Sequence, residues 1–371
     1  NQKKKIIDIQ LGRNYIYSEL NEIRNSWNYK SIEYAIQKIV SSNTKDCKKY
    51  RNGLLPTSYE ELGESLLFTY KPNELECELN WYIAHINNIK EQINLFLLYR
   101  NQYENFLILG KYEQALEMLN KINKEICVSI WGLDNLFILA ESESGLEKNK
   151  EILANVNSKG CNSWVSIFAD LFSFKAEKGV NNRQYLHRIE RLFSNVTDDI
   201  KSFFEEKLYP IYNISMNNIY DLLYYNKRLS IIDMYNVLIK IFVRSISDSC
   251  LKEESFQIIR VAIKKIAGIN DNALSKLLLY IDTSIELPID NFDKKMFIIG
   301  NTYTEGKYEE VICECQDLIK DHANCFEIYE YYVKSHIMMN KSLSPIWSSS
   351  IAQDLALSMY TAYIKDMNDS Y

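Results

Sequence analysis

Cys313-x-Cys315, followed by His322 and Cys325, is the nearest thing in the sequence to a metal-ligand set. Zinc would need these four groups to converge on a tetrahedron. If Tyr308–Lys320 forms one helix, each residue turns about 100°, so the two close thiols stand about 200° apart around its axis. Cys315 also falls on the apolar stripe of that helix, where a free thiol packs as a small hydrophobe. We therefore expect no metal site, and nothing in the spacing calls for a cofactor.

Other catalytic vocabulary is thin. The chain has only four histidines, which leaves most acid–base chemistry without its commonest group. Arg183 and His187 stand one helical turn apart and read as a surface pair. No Gly-rich phosphate loop, G-x-S-x-G elbow or H-E-x-x-H pair occurs. The acidic pairs Asp198-Asp199 and Glu141/Glu143 have no partner base and read as solvated charges near helix starts. The reading is of a protein that is not an enzyme.

Charge is uneven along the chain. Residues 1–55 hold 11 Lys/Arg against 5 Asp/Glu, while the overall net charge is −6. Lys3, Lys4, Lys5, Lys48, Lys49 and Arg51 could meet nucleic acid or an acidic partner, and Tyr15, Trp27 and Tyr50 are interleaved with such cations. The aromatics also fit helical stripes, so core packing explains most of them, and Lys48, Lys49 and Arg51 are expected in a loop.

The elements that must carry these residues are helical. Only 11 Gly and 5 Pro occur in 371 residues, too few for a turn-rich β fold. The polar run 41–53 reads as a linker, and Thr57-x-x-Glu60 as a capping box that opens a helix. Glycines at 110, 145 and 179 recur at spacings of 35 and 34, close to the period of a helix–turn–helix repeat. Gly-Lys-Tyr-Glu occurs twice, at 110–113 and 306–309, each time leading into an apolar stripe. Tyr112, Ala115, Leu116, Leu119 and Ile122 match Tyr308, Val311, Ile312, Cys315 and Leu318 at a fixed offset of 196. After Gly145 the stripe is Ile152, Leu153, Val156; after Gly179 it is Tyr185, Leu186, Ile189, Leu192, Phe193. No stretch reaches 18 apolar residues, and Ile231–Val243 is broken by Asp233, Asn236 and Lys240, which argues against a membrane span. Eight scattered cysteines read as reduced thiols in a cytoplasmic protein. Because the chain opens on Asn1, a removed signal or a further upstream domain stays open. The expected organisation is a basic helical segment over 1–52, helical repeats over 53–210, an aromatic-rich helical segment over 211–290, and a second repeat region over 291–371.

Gly110, Tyr112, Ala115 and Leu119 resemble the second half of a tetratricopeptide repeat, and Gly306 and Tyr308 begin a more degenerate copy with Val311 and Cys315. Tyr103 and Ile299 stand where the family has a small residue, and Cys127 and Ala323 where it has a closing Pro. The resemblance covers about a third of the chain. It implies an all-α fold of stacked antiparallel hairpins in an irregular right-handed superhelix, with first-helix residues on a concave face. Carried onto the two units, that face would hold Leu97, Arg100, Glu104 and Ile108, then Asp293, Met296 and Tyr303. Arg100 lacks the Asn/Lys set of the family's peptide-carboxylate clamps, so that specificity is not expected.

The functional expectation is a non-enzymatic scaffold that binds a peptide or partner protein on a helical-repeat surface. A regulatory or sensor part of a larger, multi-component system is the first alternative, and a nucleic-acid binder using the basic segment the second. Of Tyr329, Tyr331 and Tyr332, at least one should face outward, because adjacent residues diverge around a helix.

Overall fold

The computed structural model describes residues 16–26, 28–63, 74–180, 182–208, 216–247, 253–281, 291–322, 326–339 and 341. Among them are 18 helices and no strand. The fold is all-α, and its helices pack largely in neighbouring pairs.

The chain begins with α1 (Ile16–Ser26), α2 (Tyr29–Val40) and α3 (Lys45–Leu54). The run read as a linker is thus mostly helix α3: Cys47, Tyr50 and Leu54 recur at helical spacing and are buried. Residues 55–63, expected to open a helix, instead form turns, and Thr57 donates its N–H and its hydroxyl to Glu61 rather than pairing with Glu60. After α4 (Leu75–Asn88) come three hairpins: α5 (Lys90–Ile108) with α6 (Tyr112–Glu125), α7 (Ile130–Ser144) with α8 (Leu146–Ser158), and α9 (Ser163–Ala176) with α10 (Asn182–Phe193). Gly110, Gly145 and Gly179 lie in the three turns inside those hairpins. Consecutive helices from α5 to α10 pack on one another, because each buries an apolar stripe it cannot cover alone.

The repeated Gly-Lys-Tyr-Glu has one geometry in both copies. Gly110 has φ +67° and Gly306 φ +76°. In each turn the glycine N–H returns to the carbonyl three residues back, and the following Lys N–H to the carbonyl five back. Behind the turns Ala115, Leu119 and Ile122 match Val311, Cys315 and Leu318, all buried. Nothing lies within 4 Å of a Cβ built on Gly110. Gly110→Ala is therefore expected to cost only the left-handed backbone penalty, about 1–2 kcal/mol, read as a lower urea midpoint at unchanged slope.

The chain then runs through α11 (Asp198–Leu208), α12 (Met216–Asn226), α13 (Ile231–Ser247), α14 (Glu253–Lys265) and α15 (Asn272–Ile281). Helix α13 is central: it packs on α4, α5, α7, α12, α14 and α15. Ile231, Ile232, Tyr235, Val237, Leu238, Ile241 and Phe242 are wholly buried, as befits a helix apolar around most of its circumference. One continuous core joins residues from Leu20 in α1 to Ile281 in α15, so the described part of the basic segment packs into the same core as the first hairpin and the aromatic-rich segment, while α7 to α11 share a second core. Helices α16 (Asn291–Thr304), α17 (Tyr308–Asp321) and α18 (Phe326–Met338) have their own cluster, and α18 touches α5. Tyr329 and Tyr332 are buried, and Tyr331 is half-buried against Tyr303, so this aromatic run serves packing more than an outer wall. Leu192, placed on a buried stripe by its spacing, is exposed.

Candidate functional site

A cleft of about 320 Å³ opens where α5, α7, α11 and α13 converge beside the start of α15. It exists because α13 lies against the first helices of the first two hairpins. Along α13, Asp233, Asn236 and Lys240 fall at i, i+3 and i+7, one polar stripe on an otherwise apolar helix, and all three line the cleft. Arg100 and Glu104 come from α5, Trp131 and Asp134 from the first turns of α7, Lys207 from the end of α11, and Asp271 from the residue before α15.

Most of these charges hold the walls together. Asp233 is buried and accepts the Ile130 N–H at 3.0 Å, the Trp131 N–H at 3.1 Å and the Ser230 hydroxyl at 2.9 Å. It thereby satisfies orphan amides at the positive end of α7, beside Ser129, whose Oγ accepts from the Gly132 N–H. Burial pushes the Asp233 carboxyl above its ordinary range, against the pull of Lys207 and these hydrogen bonds. Glu206, wholly buried, bridges Lys207 at 3.0 Å and Lys240 at 2.7 Å. Burial would raise its carboxyl, but the two ammonium groups overcome that and hold it below the ordinary value. Tyr235 donates its hydroxyl to Asp271 at 2.5 Å, and Asp271 also accepts the Ala273 N–H at 2.8 Å. Asp134 pairs with Lys175 at 2.9 Å, and Lys175 lies over the Phe172 ring.

What remains is a set of donors. The Arg100 guanidinium rests over Phe96 with its Nε 3.8 Å from Glu104, beyond hydrogen-bond reach. Glu104 is 52% exposed. The Asn236 amide and the Trp131 indole N–H make no hydrogen bond among the described residues, though Trp131 is held edge-on by Phe96 and Tyr103. A half-buried wall with a loosely paired Arg and unbonded Asn and Trp donors can bind a ligand rich in carbonyl or carboxylate oxygens. The carboxylates engaged in helix ends and ion pairs are poorly placed to act as general bases.

The concave-face expectation meets this geometry in part. Arg100 and Glu104 line the cleft. Leu97 and Met296 do not offer a surface: they are 7% and 1% exposed, Leu97 because α5 is covered by α6 on one side and α13 on another. Tyr303 is half-buried between Tyr308 and Tyr331. The side chains of Ile108 and Asp293, and residues Lys3, Lys4 and Lys5, lie outside the described residues. Lys48 and Lys49 are exposed, but on helix α3 rather than a loop, and Arg51 turns back to donate to the Val40 carbonyl at 3.3 Å. Trp131, Asn236 and Lys240 were missed as site residues. The signal for Asn236 and Lys240 was the polar stripe of α13, visible with Asp233 as three interruptions in an apolar run, whereas nothing in the sequence pointed to Trp131.

Among the described residues no group of three or more His, Cys, Asp or Glu side chains could hold a metal ion. Cys313 is exposed and Cys315 buried, as their angular separation on α17 requires. His85 is buried and neutral, pushed down to about 4 by burial, with its Nδ1 2.7 Å from the Trp81 carbonyl. No described helix is long and apolar enough to cross a membrane. No family model, curated protein or solved structure matches the chain.

Proposed function

We propose that the protein is a non-enzymatic interaction scaffold of tetratricopeptide-like hairpins that takes an extended peptide segment of a partner protein into the cleft between α5, α7 and α13. The observation that carries this reading is the Arg100 guanidinium, held only by a 3.8 Å ion pair to Glu104, beside the Asn236 amide and the Trp131 indole N–H, which make no hydrogen bond among the described residues. A primary amide such as Asn236 can pair with a peptide main chain in both directions, and a guanidinium takes a carbonyl or carboxylate oxygen. The flanking Trp131 offers a rigid apolar face of the kind that anchors interfaces. The free thiols of Cys47, Cys127 and Cys315, all buried, support a reducing compartment, and we place the protein in the cytoplasm.

The test is recovery of bound partners by the intact chain against two variants. Arg100→Glu and Asn236→Ala are each expected to weaken capture about tenfold or more, the loss of one hydrogen bond to a charged or desolvated group. Unchanged capture by both variants, with unchanged circular dichroism, would remove the cleft from the binding surface.

A further inference from the structure

Among the described residues four arginines lie over aromatic rings, and three of them show what such a side chain does with its remaining edge. Arg188 rests 4.4 Å from the Phe174 centroid and gives its Nη2 to Asp170 at 2.6 Å. Arg260 covers Phe256 and donates to the Ile281 carbonyl at 2.8 Å. Arg100 covers Phe96 and stands within ion-pair distance of Glu104.

Arg228 is different. Its Cζ lies 5.0 Å from the Trp164 ring centroid and 5.5 Å from those of both Tyr224 and Tyr225. Three rings fix one guanidinium, and Tyr225 is itself pinned by a 2.7 Å hydrogen bond to Asp199. Yet among the described residues the only hydrogen bond from that guanidinium is a long one, 3.5 Å to the Tyr224 hydroxyl, and it has no carboxylate partner there. The neighbouring cation cannot share a ligand, because Lys227 is buried against Glu78 at 2.5 Å. Arg228 is half-buried in the turn between α12 and α13 and is not part of the cleft wall.

We infer that the Arg228 guanidinium, held in place by Trp164, Tyr224 and Tyr225, is a docking point for a carboxylate of an acidic peptide segment. A planar fork that is already oriented loses little entropy on taking two coplanar oxygens. The ring faces strip water from the guanidinium, which strengthens an ion pair made on its free edge. A phosphate is a poorer fit: its charge approaches −2 and is usually met by more than one donor group, whereas this site offers a single cation and no free neighbour. The site stands apart from the cleft, so it does not depend on the function proposed there.

The experiment follows the arginine Nε–H resonances of the whole protein by NMR. Three probes are added separately: an N-acetylated, C-amidated tetraglutamate peptide, its tetraglutamine counterpart, and inorganic phosphate. The expected result is a saturable shift of the Arg228 signal with tetraglutamate, no shift with tetraglutamine and a weaker response to phosphate. Arg228→Lys keeps the charge and loses the fork, and is expected to reduce tetraglutamate affinity about tenfold or more, the loss of a charge-assisted hydrogen bond. Arg260→Lys, at an arginine whose fork is taken up by the Ile281 carbonyl, serves as the control and leaves that affinity unchanged. Absence of a saturable shift, an equal response to tetraglutamine, or no effect of Arg228→Lys would overturn the proposal. Tighter binding of phosphate than of tetraglutamate would overturn the choice of a carboxylate.

Discussion

Glu78→Ala is expected to destabilise the protein by about 3–5 kcal/mol, the cost of stranding buried charge. Glu78 lies in α4 with its side chain wholly buried, and its two oxygens meet cations from two other parts of the chain. Arg24 of α1 places Nε 3.0 Å from one oxygen, and Lys227, in the turn after α12, places Nζ 2.5 Å from the other. The carboxylate thus ties the first described helix and the α12–α13 turn to α4. Removing it leaves two buried cations without the anion they share. No local pattern signals this triad, since its members are 54 and 149 residues apart along the chain. Replacing all three together, as Arg24→Met, Glu78→Leu and Lys227→Met, is expected to restore most of the loss, because apolar side chains carry no desolvation cost. Both stabilities are read from urea unfolding. A loss under about 1 kcal/mol for Glu78→Ala would mean that the triad is solvated like a surface pair.

The same triad makes stability depend on pH. Burial pushes the Lys227 ammonium down to about 8, against the attraction of Glu78. The ordinary value is 10.5. Between those two values the unfolded chain binds the proton that the folded chain has released, so the contribution of Lys227 to stability rises with pH across that window. The buried hydroxyls of Tyr50, Tyr82 and Tyr235 are pushed up by burial and act in the opposite sense above their ordinary 10. The difference between the protein and its Lys227→Met variant isolates the lysine. That difference should grow in favour of the unmodified chain from pH 8 to 9.5.

Local physics explains what could be read in advance. Helices, the Gly110 and Gly306 turns and the stripes behind them follow from spacing and from the freedom of glycine at positive φ, which depend on near neighbours only. Packing between distant helices does not. Helix α13, more than 120 residues later in the chain, packs on α5, a contact that neither spacing nor the repeat resemblance indicated. Arg100 and Glu104, one helical turn apart on α5, line the cleft. Leu97, on the same helix, is buried and does not line it. The reading of 41–53 as a linker failed for a simpler reason. Four cations outweighed three buried positions, Cys47, Tyr50 and Leu54, whose helical spacing was present in the sequence all along.

Asp233→Asn should separate the architecture of the cleft from its contacts. The carboxylate bridges helices: it belongs to α13 but caps α7, where it accepts the Ile130 and Trp131 amides. Asn keeps the shape and one acceptor oxygen but turns an amide NH2 toward a backbone N–H, and it removes a negative charge from a helix N-terminus. One unsatisfied buried amide and the lost dipole interaction together are expected to cost about 2–4 kcal/mol. Ser230→Ala removes a donor to the same carboxylate and a 3.3 Å acceptor of the Asp233 N–H, and should cost about 1–2 kcal/mol. Because Trp131 and Asp134 ride on the first turns of α7, the cleft should loosen even where the fold survives. Hydrogen exchange of the segment 128–136 reads this directly: faster exchange there, with α5 unchanged, is the expected pattern. Partner capture should fall in Asp233→Asn although its carboxylate is occupied by α7. If exchange at Ile130 and Trp131 is unchanged, the cap is not what holds the cleft wall, and the polar stripe of α13 would have to act through Asn236 and Lys240 alone.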